Sequence, residues 1–107
     1  MIALKKPYKG KNIKKSTGRL LRHLEQKKPD PLLYVLTLSG NKEEQLDIYP
    51  ALVYLQNNYI LDDLCIVGFA AGKSEAYELV AKMAEDACRE MGYPNIRGYL
   101  EKKERRK

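Results

Sequence analysis

Two stretches of the chain are apolar at consecutive positions rather than at alternate ones. Residues 32–38 read Leu-Leu-Tyr-Val-Leu-Thr-Leu, and residues 64–70 read Leu-Cys-Ile-Val-Gly-Phe-Ala. Successive side chains of a strand point to opposite faces, so a strand that is apolar at every position is covered on both faces. Both stretches therefore predict buried strands. Residues 96–100 alternate instead, which predicts an edge strand with one solvated face.

Helical periodicity separates these strands. In residues 48–57 the apolar positions recur with the i, i+3, i+4, i+7 spacing of one helix face, and Asp47 is the candidate N-cap. Residues 75–91 keep the same period for longer, with Ser74 as the candidate N-cap and Gly92 as the left-handed exit. The chain therefore predicts one helix in each connection between strands.

The predicted element order is β-α-β-α-β, which is typical of a small α/β domain over residues 29–101. Helical connections of this length imply parallel neighbours and right-handed crossovers. Because the first strand is apolar on both faces, we place it centrally in a three-stranded, mainly parallel sheet of order 2-1-3 with helices on both faces. The alternative is order 1-2-3, with a short N-terminal helix covering the second face.

Charge is segregated along the chain. Residues 1–28 hold ten lysines and arginines against one acid, and residues 101–107 hold five against two. Residues 29–100 have the opposite balance, with five bases and eleven acids. An acidic body between basic ends indicates that the ends contact polyanions or pack elsewhere.

Residues 1–28 predict a mostly disordered basic arm, because residues 1–15 contain little to bury. Ser16 or Thr17 is the candidate cap of a short helix over residues 18–27. Residues 102–107 contain no apolar side chain and predict a disordered basic tail.

The basic arm is the strongest functional signal in the sequence. Lysines that neutralise phosphates release counterions, so binding through the arm would be sequence-independent and steeply salt-dependent. Lysine-rich termini are equally common as solubility tails, and the residue pattern does not distinguish the two. The candidate nucleic-acid contacts are Lys5, Lys6, Lys9, Lys11, Lys14, Lys15, Arg19 and Arg22.

The turn between residues 68 and 74, Gly-Phe-Ala-Ala-Gly-Lys-Ser, resembles a phosphate-binding loop. A P-loop needs four residues between its glycines, and this turn has three. We therefore interpret it as a strand-to-helix turn without nucleotide hydrolysis. Weak anion binding at Gly72, Lys73 and Ser74 remains an alternative, because free N–H groups at a helix N-terminus favour anions.

Other chemistry has little support. Cys65 and Cys88 lie in apolar patterns and predict buried free thiols, and the single histidine, His23, lies in the basic arm. The acid pairs at 43–44 and 62–63, and the tyrosines Tyr34, Tyr49, Tyr54 and Tyr59, are interpreted as solvated loop or packing residues. We expect no metal, no cofactor and no catalysis. The longest apolar run is too short to span a bilayer, so we expect no membrane partner and a cytoplasmic protein.

Three segments, Leu46-Asp47-Ile48-Tyr49-Pro50-Ala51, Ile66-Val67-Gly68 and Glu75-Ala76-Tyr77-Glu78-Leu79-Val80, resemble small uncharacterised accessory proteins of Firmicutes conjugative transposons. The resemblance covers residues 32–101 and implies an accessory role in a mobile element, with no activity attached.

The sequence favours a non-enzymatic interaction module over the alternatives. The predicted edge strand at 96–100 would be open for pairing with a protein partner or a second copy. Nucleic-acid binding through the arm is the first alternative, and anion binding at the 72–74 turn is the second.

Overall fold

The computed structural model describes residues 2–26, 31–38, 46–51 and 65–105. In these residues four strands and three helices form a small α/β domain. The strands are β1 (Ile2–Lys9), β2 (Leu33–Leu38), β3 (Leu46–Pro50) and β4 (Cys65–Ala71). The helices are α1 (Thr17–Glu25), α2 (Lys73–Met91) and α3 (Ile96–Arg105). The predicted strands at 32–38 and 64–70, the short N-terminal helix and the helix at 75–91 are confirmed within one or two residues.

The four strands form one mixed sheet in the order β1-β4-β2-β3. β1 runs parallel to β4, whereas β2 runs antiparallel to both β4 and β3. The predicted three-stranded, mainly parallel sheet of order 2-1-3 is therefore wrong, and so is the order 1-2-3. The cause lies in two segments, at residues 2–9 and 46–50, that form strands where the sequence predicted none.

Residues 46–50 form β3, where the sequence predicted the start of the helix at 48–57. Leu46 and Ile48 both pack against the core beneath α2. Their side chains therefore follow the two-residue repeat of a strand. All five residues pair with β2, from Leu46 opposite Leu38 to Pro50 opposite Tyr34. Pairing along almost the whole of β2 outweighs the local helical spacing. Residues 52–57 lie outside the described part of the chain.

β1 occupies the segment that was predicted to be disordered. Its first and last residues pair with β4, and the register shifts between Ala3 and Tyr8. Lys5, Lys6 and Pro7 lie in that irregular stretch of an edge strand. Lysine and proline hinder the addition of a further strand to an edge. In the structure residues 2–9 form β1 and residues 10–15 connect it to α1, where the sequence predicted a disordered arm.

Helices cover both faces of the sheet, as predicted. The core under α2 and α3 contains Leu36, Val67, Ala70, Ala76, Leu79, Met83, Ile96 and Leu100. The core under α1 contains Leu20, Leu24, Leu33, Val35, Ala51, Ile66 and Phe69. A register shift opposite Leu36 and Thr37 inserts an extra residue into β4. This bulge lets Ile66 and Phe69, three positions apart, face the same core.

α2 begins and ends at glycines. Gly72 is its N-cap and no side chain caps the helix, so Ser74 is an exposed residue of the first turn rather than the predicted cap. Gly92 has a φ of 81° and ends the helix, as predicted. Cys88 is exposed on α2 and Cys65 is half-buried, so the prediction of two buried thiols is wrong for Cys88.

α3 replaces the predicted edge strand at 96–100. The side-chain oxygen of Asn95 accepts a hydrogen bond of 3.0 Å from the Gly98 N–H, which caps the helix start. Ile96 and Leu100, one helical turn apart, are both buried in the core. α3 continues to Arg105, within the segment 102–107 for which the sequence predicted a disordered tail. None of the helices in the described residues has the length and apolar character needed to cross a membrane.

Candidate nucleic-acid interface

α1 presents two arginines to solvent because its leucines fix its orientation. The Ser16 hydroxyl oxygen accepts a hydrogen bond of 3.3 Å from the Arg19 N–H and caps the helix. Leu20 and Leu24 are 3% and 1% exposed in the core beneath the helix. Arg19 and Arg22, three positions apart, lie on the exposed side.

The segment between β1 and α1, residues 10–15, is held against the sheet by backbone and side-chain contacts. The Gly10 N–H donates to the Phe69 carbonyl at 2.9 Å, and the Ile13 N–H donates to the Gly10 carbonyl at 3.0 Å. Ile13 also packs against the core under α1. The lysines of this segment therefore stand on a folded backbone and not on a flexible tail.

Glu75 fastens the same segment to the start of α2. Its carboxylate is 5% exposed and accepts hydrogen bonds from the N–H groups of Asn12, at 3.0 Å, and Ala71. Gly10 lies so close that a Cβ atom added there would overlap the Glu75 side chain. This buried carboxylate was not identified from the sequence, where Glu75 is one of several acids in a helix start.

These elements carry six bases along one ordered stretch of chain, which we call the basic strip. No aspartate or glutamate occurs between residues 9 and 24. All members of the strip are exposed except Lys15, which is half-buried. The basic strip consists of Lys9, Lys11, Lys14, Lys15, Arg19 and Arg22.

The layer on the other side of the sheet has a different charge pattern. Residues 73–105 contain seven bases and seven acids. Lys82 and Arg89 approach one oxygen of Asp86 at 3.5 and 2.9 Å, and Arg97 approaches Glu101 at 3.4 Å. In the described residues, net positive charge is therefore concentrated in residues 2–26.

Lys5 and Lys6, the remaining two candidates, precede the basic strip and lie in the irregular middle of β1. The other six candidates, from Lys9 to Arg22, follow one another along the end of β1, the connecting segment and α1.

A cavity opens directly beside the basic strip. It has a volume of about 440 Å³ and lies where β4 ends and the segment after β1 crosses it. Its lining is mostly apolar, with Lys14 and Lys15 at its border and Leu32, 68% exposed, on the side of β2. The residues that line it are Asn12, Ile13, Lys14, Lys15, Leu20, Leu32, Leu33 and Ala71.

The start of α2 contains Gly72, Lys73 and Ser74, the alternative anion site, and a buried acid lies beside them. The carboxylate of Glu75 already accepts the Ala71 N–H beside this turn. A buried negative charge there repels a second anion at short range. The Lys73 ammonium lies 5.9 Å from the centre of the Tyr77 ring, so it contacts an aromatic face of its own helix.

A polar cluster that the sequence did not reveal links β1 to α2 and α3. The Tyr8 hydroxyl donates to Asp86 at 2.6 Å. The oxygens of Tyr8 and Tyr99 are 3.3 Å apart, and because the Tyr8 proton is engaged by Asp86, Tyr99 is the donor.

These contacts shift two pKa values in opposite directions. The hydrogen bond from Tyr8 is the main cause that lowers the pKa of Asp86. Burial, followed by the hydrogen bond to Asp86, raises the pKa of Tyr8 above its ordinary value. The cluster therefore connects β1 with α2 and α3 through the side chains of Tyr8, Asp86 and Tyr99.

In the described residues no group of three or more His, Cys, Asp or Glu side chains is arranged to hold a metal ion. Tyr34 and Tyr49 are half-buried on neighbouring strands. The acid pairs at 43–44 and 62–63, and Tyr54 and Tyr59, lie outside the described residues. Comparison of the chain with protein-family models, with curated proteins and with solved structures found no match.

Proposed function

We propose that this protein is a non-enzymatic module that binds nucleic acid through the basic strip. The observation that carries the proposal is a row of six bases, without an intervening acid, on backbone that is fixed to the sheet. Bases on an ordered surface contact phosphates with less loss of conformational entropy than bases on a disordered tail. The expected binding is electrostatic and largely independent of sequence.

The proposal reverses the order of preference drawn from the sequence. Pairing of a partner with an edge strand at 96–100 loses its support, because these residues form a helix. The basic residues gain support, because they belong to the fold. An accessory role in a conjugative element rests on the sequence resemblance alone and remains part of the proposal.

The test is a salt titration of DNA and RNA binding by fluorescence anisotropy. The logarithm of the binding constant falls with the logarithm of salt concentration by about 0.9 for each duplex phosphate neutralised. Replacing Arg19 and Arg22 by alanine should therefore reduce that slope by as much as about 1.8. The same variant should retain its fold, since both side chains are exposed.

A matched control separates position from net charge. Lys73→Ala combined with Lys102→Ala removes the same two charges from exposed positions in the opposite layer. This control should keep a slope close to that of the unmodified protein. Equal losses in both double variants would show that net charge alone governs binding, and a larger loss in the control would move the site to α2. Absence of any salt-dependent binding would refute the proposed function.

A further inference from the structure

We infer that the protein prefers single-stranded nucleic acid, with one unstacked base seated in the cavity beside the basic strip. The inference rests on the proposed function and specifies its ligand. The cavity and the basic strip share Lys14 and Lys15. A strand whose phosphates contact these lysines is therefore within reach of the cavity.

The cavity has the character of a site for a flat, weakly polar group. Its volume of about 440 Å³ falls in the range of roughly 300–1,000 Å³ typical of small-molecule sites. Ile13, Leu20 and Leu33 supply apolar walls. Asn12 supplies an exposed side-chain amide, which both donates and accepts hydrogen bonds as the edge of a base requires.

The charges of the residues that line the cavity indicate how a nucleotide would be oriented in it. Among the described residues that line the cavity, the charged side chains, Lys14 and Lys15, are both positive, and none is an acid. A nucleotide has the complementary arrangement, an uncharged base joined to a negative phosphate. Leu32 is 68% exposed at the same cavity, and a bound base would cover it.

The concave shape distinguishes single strands from duplexes. In a duplex the bases are paired and stacked inside the helix, and a base enters a protein cavity only after it is unstacked at a cost of a few kcal/mol. A single strand avoids most of that cost. The basic strip alone would bind both forms, so any preference for single strands reports on the cavity.

The experiment compares a single-stranded oligonucleotide with the duplex of the same sequence, at equal salt, for three proteins. Leu32→Ser removes the exposed apolar contact at the cavity. Tyr93→Ser is the matched control, since Tyr93 is 54% exposed beyond the end of α2. We expect Leu32→Ser to weaken single-strand binding about fivefold while duplex binding and the salt slope are unchanged. Tyr93→Ser should change neither.

A fluorescent base analogue, 2-aminopurine, reports directly on the base. Its emission in the single strand should change on binding to the unmodified protein and should change less with Leu32→Ser. Equal affinity for both forms, together with no effect of Leu32→Ser, would overturn the inference and leave the proposed function intact. Failure to bind any nucleic acid would overturn both. Tight, Leu32-dependent binding of an acidic apolar peptide, without binding of the single strand, would assign the cavity to a protein partner instead.

Discussion

Replacing Gly10 by alanine tests how the basic strip is held in place. The added Cβ atom would overlap the carboxyl group and Cγ of Glu75. Gly10 cannot move away easily, because its N–H donates to the Phe69 carbonyl in the sheet. The Glu75 side chain is the group that must shift, and it then releases the N–H groups of Asn12 and Ala71.

The magnitude follows from these two hydrogen bonds. A hydrogen bond to a charged group contributes about 1.5–3 kcal/mol, and the exposed Asn12 regains water when its bond is lost, so the combined loss is about 3 kcal/mol. The backbone of Gly10 is not among those with positive φ, so alanine also removes freedom from the unfolded chain and returns up to about 1 kcal/mol. We expect Gly10→Ala to lower the free energy of unfolding by about 2 kcal/mol, or the Tm by about 10 °C.

A double-mutant cycle measured by urea denaturation isolates the mechanism. Once Glu75→Ala has removed the obstructing carboxyl group, Gly10→Ala should be neutral or stabilise the protein by up to about 1 kcal/mol, which gives a coupling free energy of about 2–3 kcal/mol. Gly18→Ala is the control, because no atom lies within 4 Å of its added Cβ, and alanine in α1 should stabilise the protein by about 0.5–1 kcal/mol. If Gly10→Ala costs the same in both backgrounds, the contact with Glu75 does not hold the segment.

Two further predictions concern the other layer. Ala87→Glu should destabilise the protein by several kcal/mol in denaturant titrations, because Ala87 is fully buried and the new charge has no partner. Ala81→Glu, on the exposed side of α2, should cost little. Equal effects would show that α2 is rotated. The lowered pKa of Asp86 means that its contribution to stability is present above its ordinary pKa and is lost as pH falls through the lowered value. Tyr8→Phe should therefore cost about 1–2 kcal/mol at pH 7 and less once the pH falls below the lowered pKa of Asp86. Tyr93→Phe should have no such effect. A cost independent of pH would contradict the Tyr8–Asp86 bond as its source.

The elements that the sequence predicted correctly are those whose local pattern agrees with their burial. β4 is an unbroken apolar run, and residues 66–70 are all buried. In α2 the stripe of buried apolar residues has the helical period, and its exit at Gly92 is set by a single residue. Where pattern, cap and packing agree, local sequence is sufficient.

The incorrect predictions share a different cause, which is a pattern completed by distant partners. Ile96 and Leu100 fit both a strand face and a helix face, and the cap from Asn95 to Gly98 decides for the helix. β1 contains only a short apolar segment before its lysines, and it forms because β4 offers a free edge more than fifty residues away. Composition alone therefore predicted disorder where pairing creates a strand.

For the candidate site, the sequence predicted the basic residues but not the contacts that hold their backbone in place. The sequence predicted a short helix over residues 18–27, and Arg19 and Arg22 lie in it. Glu75 contacts Asn12, which lies more than sixty residues away in the sequence, and Ala71, which lies four residues away. Residues from three separate segments line the cavity, so no local sequence pattern predicts it.

The folded state of the N-terminal segment determines which experiment tests nucleic-acid binding. Deleting residues 1–15 removes β1, the partner strand of β4, and the segment that Glu75 holds. Such a truncation would lose binding even if its lysines never touched a phosphate, because the domain itself would be disrupted. Substitutions at exposed positions such as Arg19 and Arg22 leave the sheet and both cores in place. Only these substitutions separate a loss of phosphate contacts from a loss of the fold.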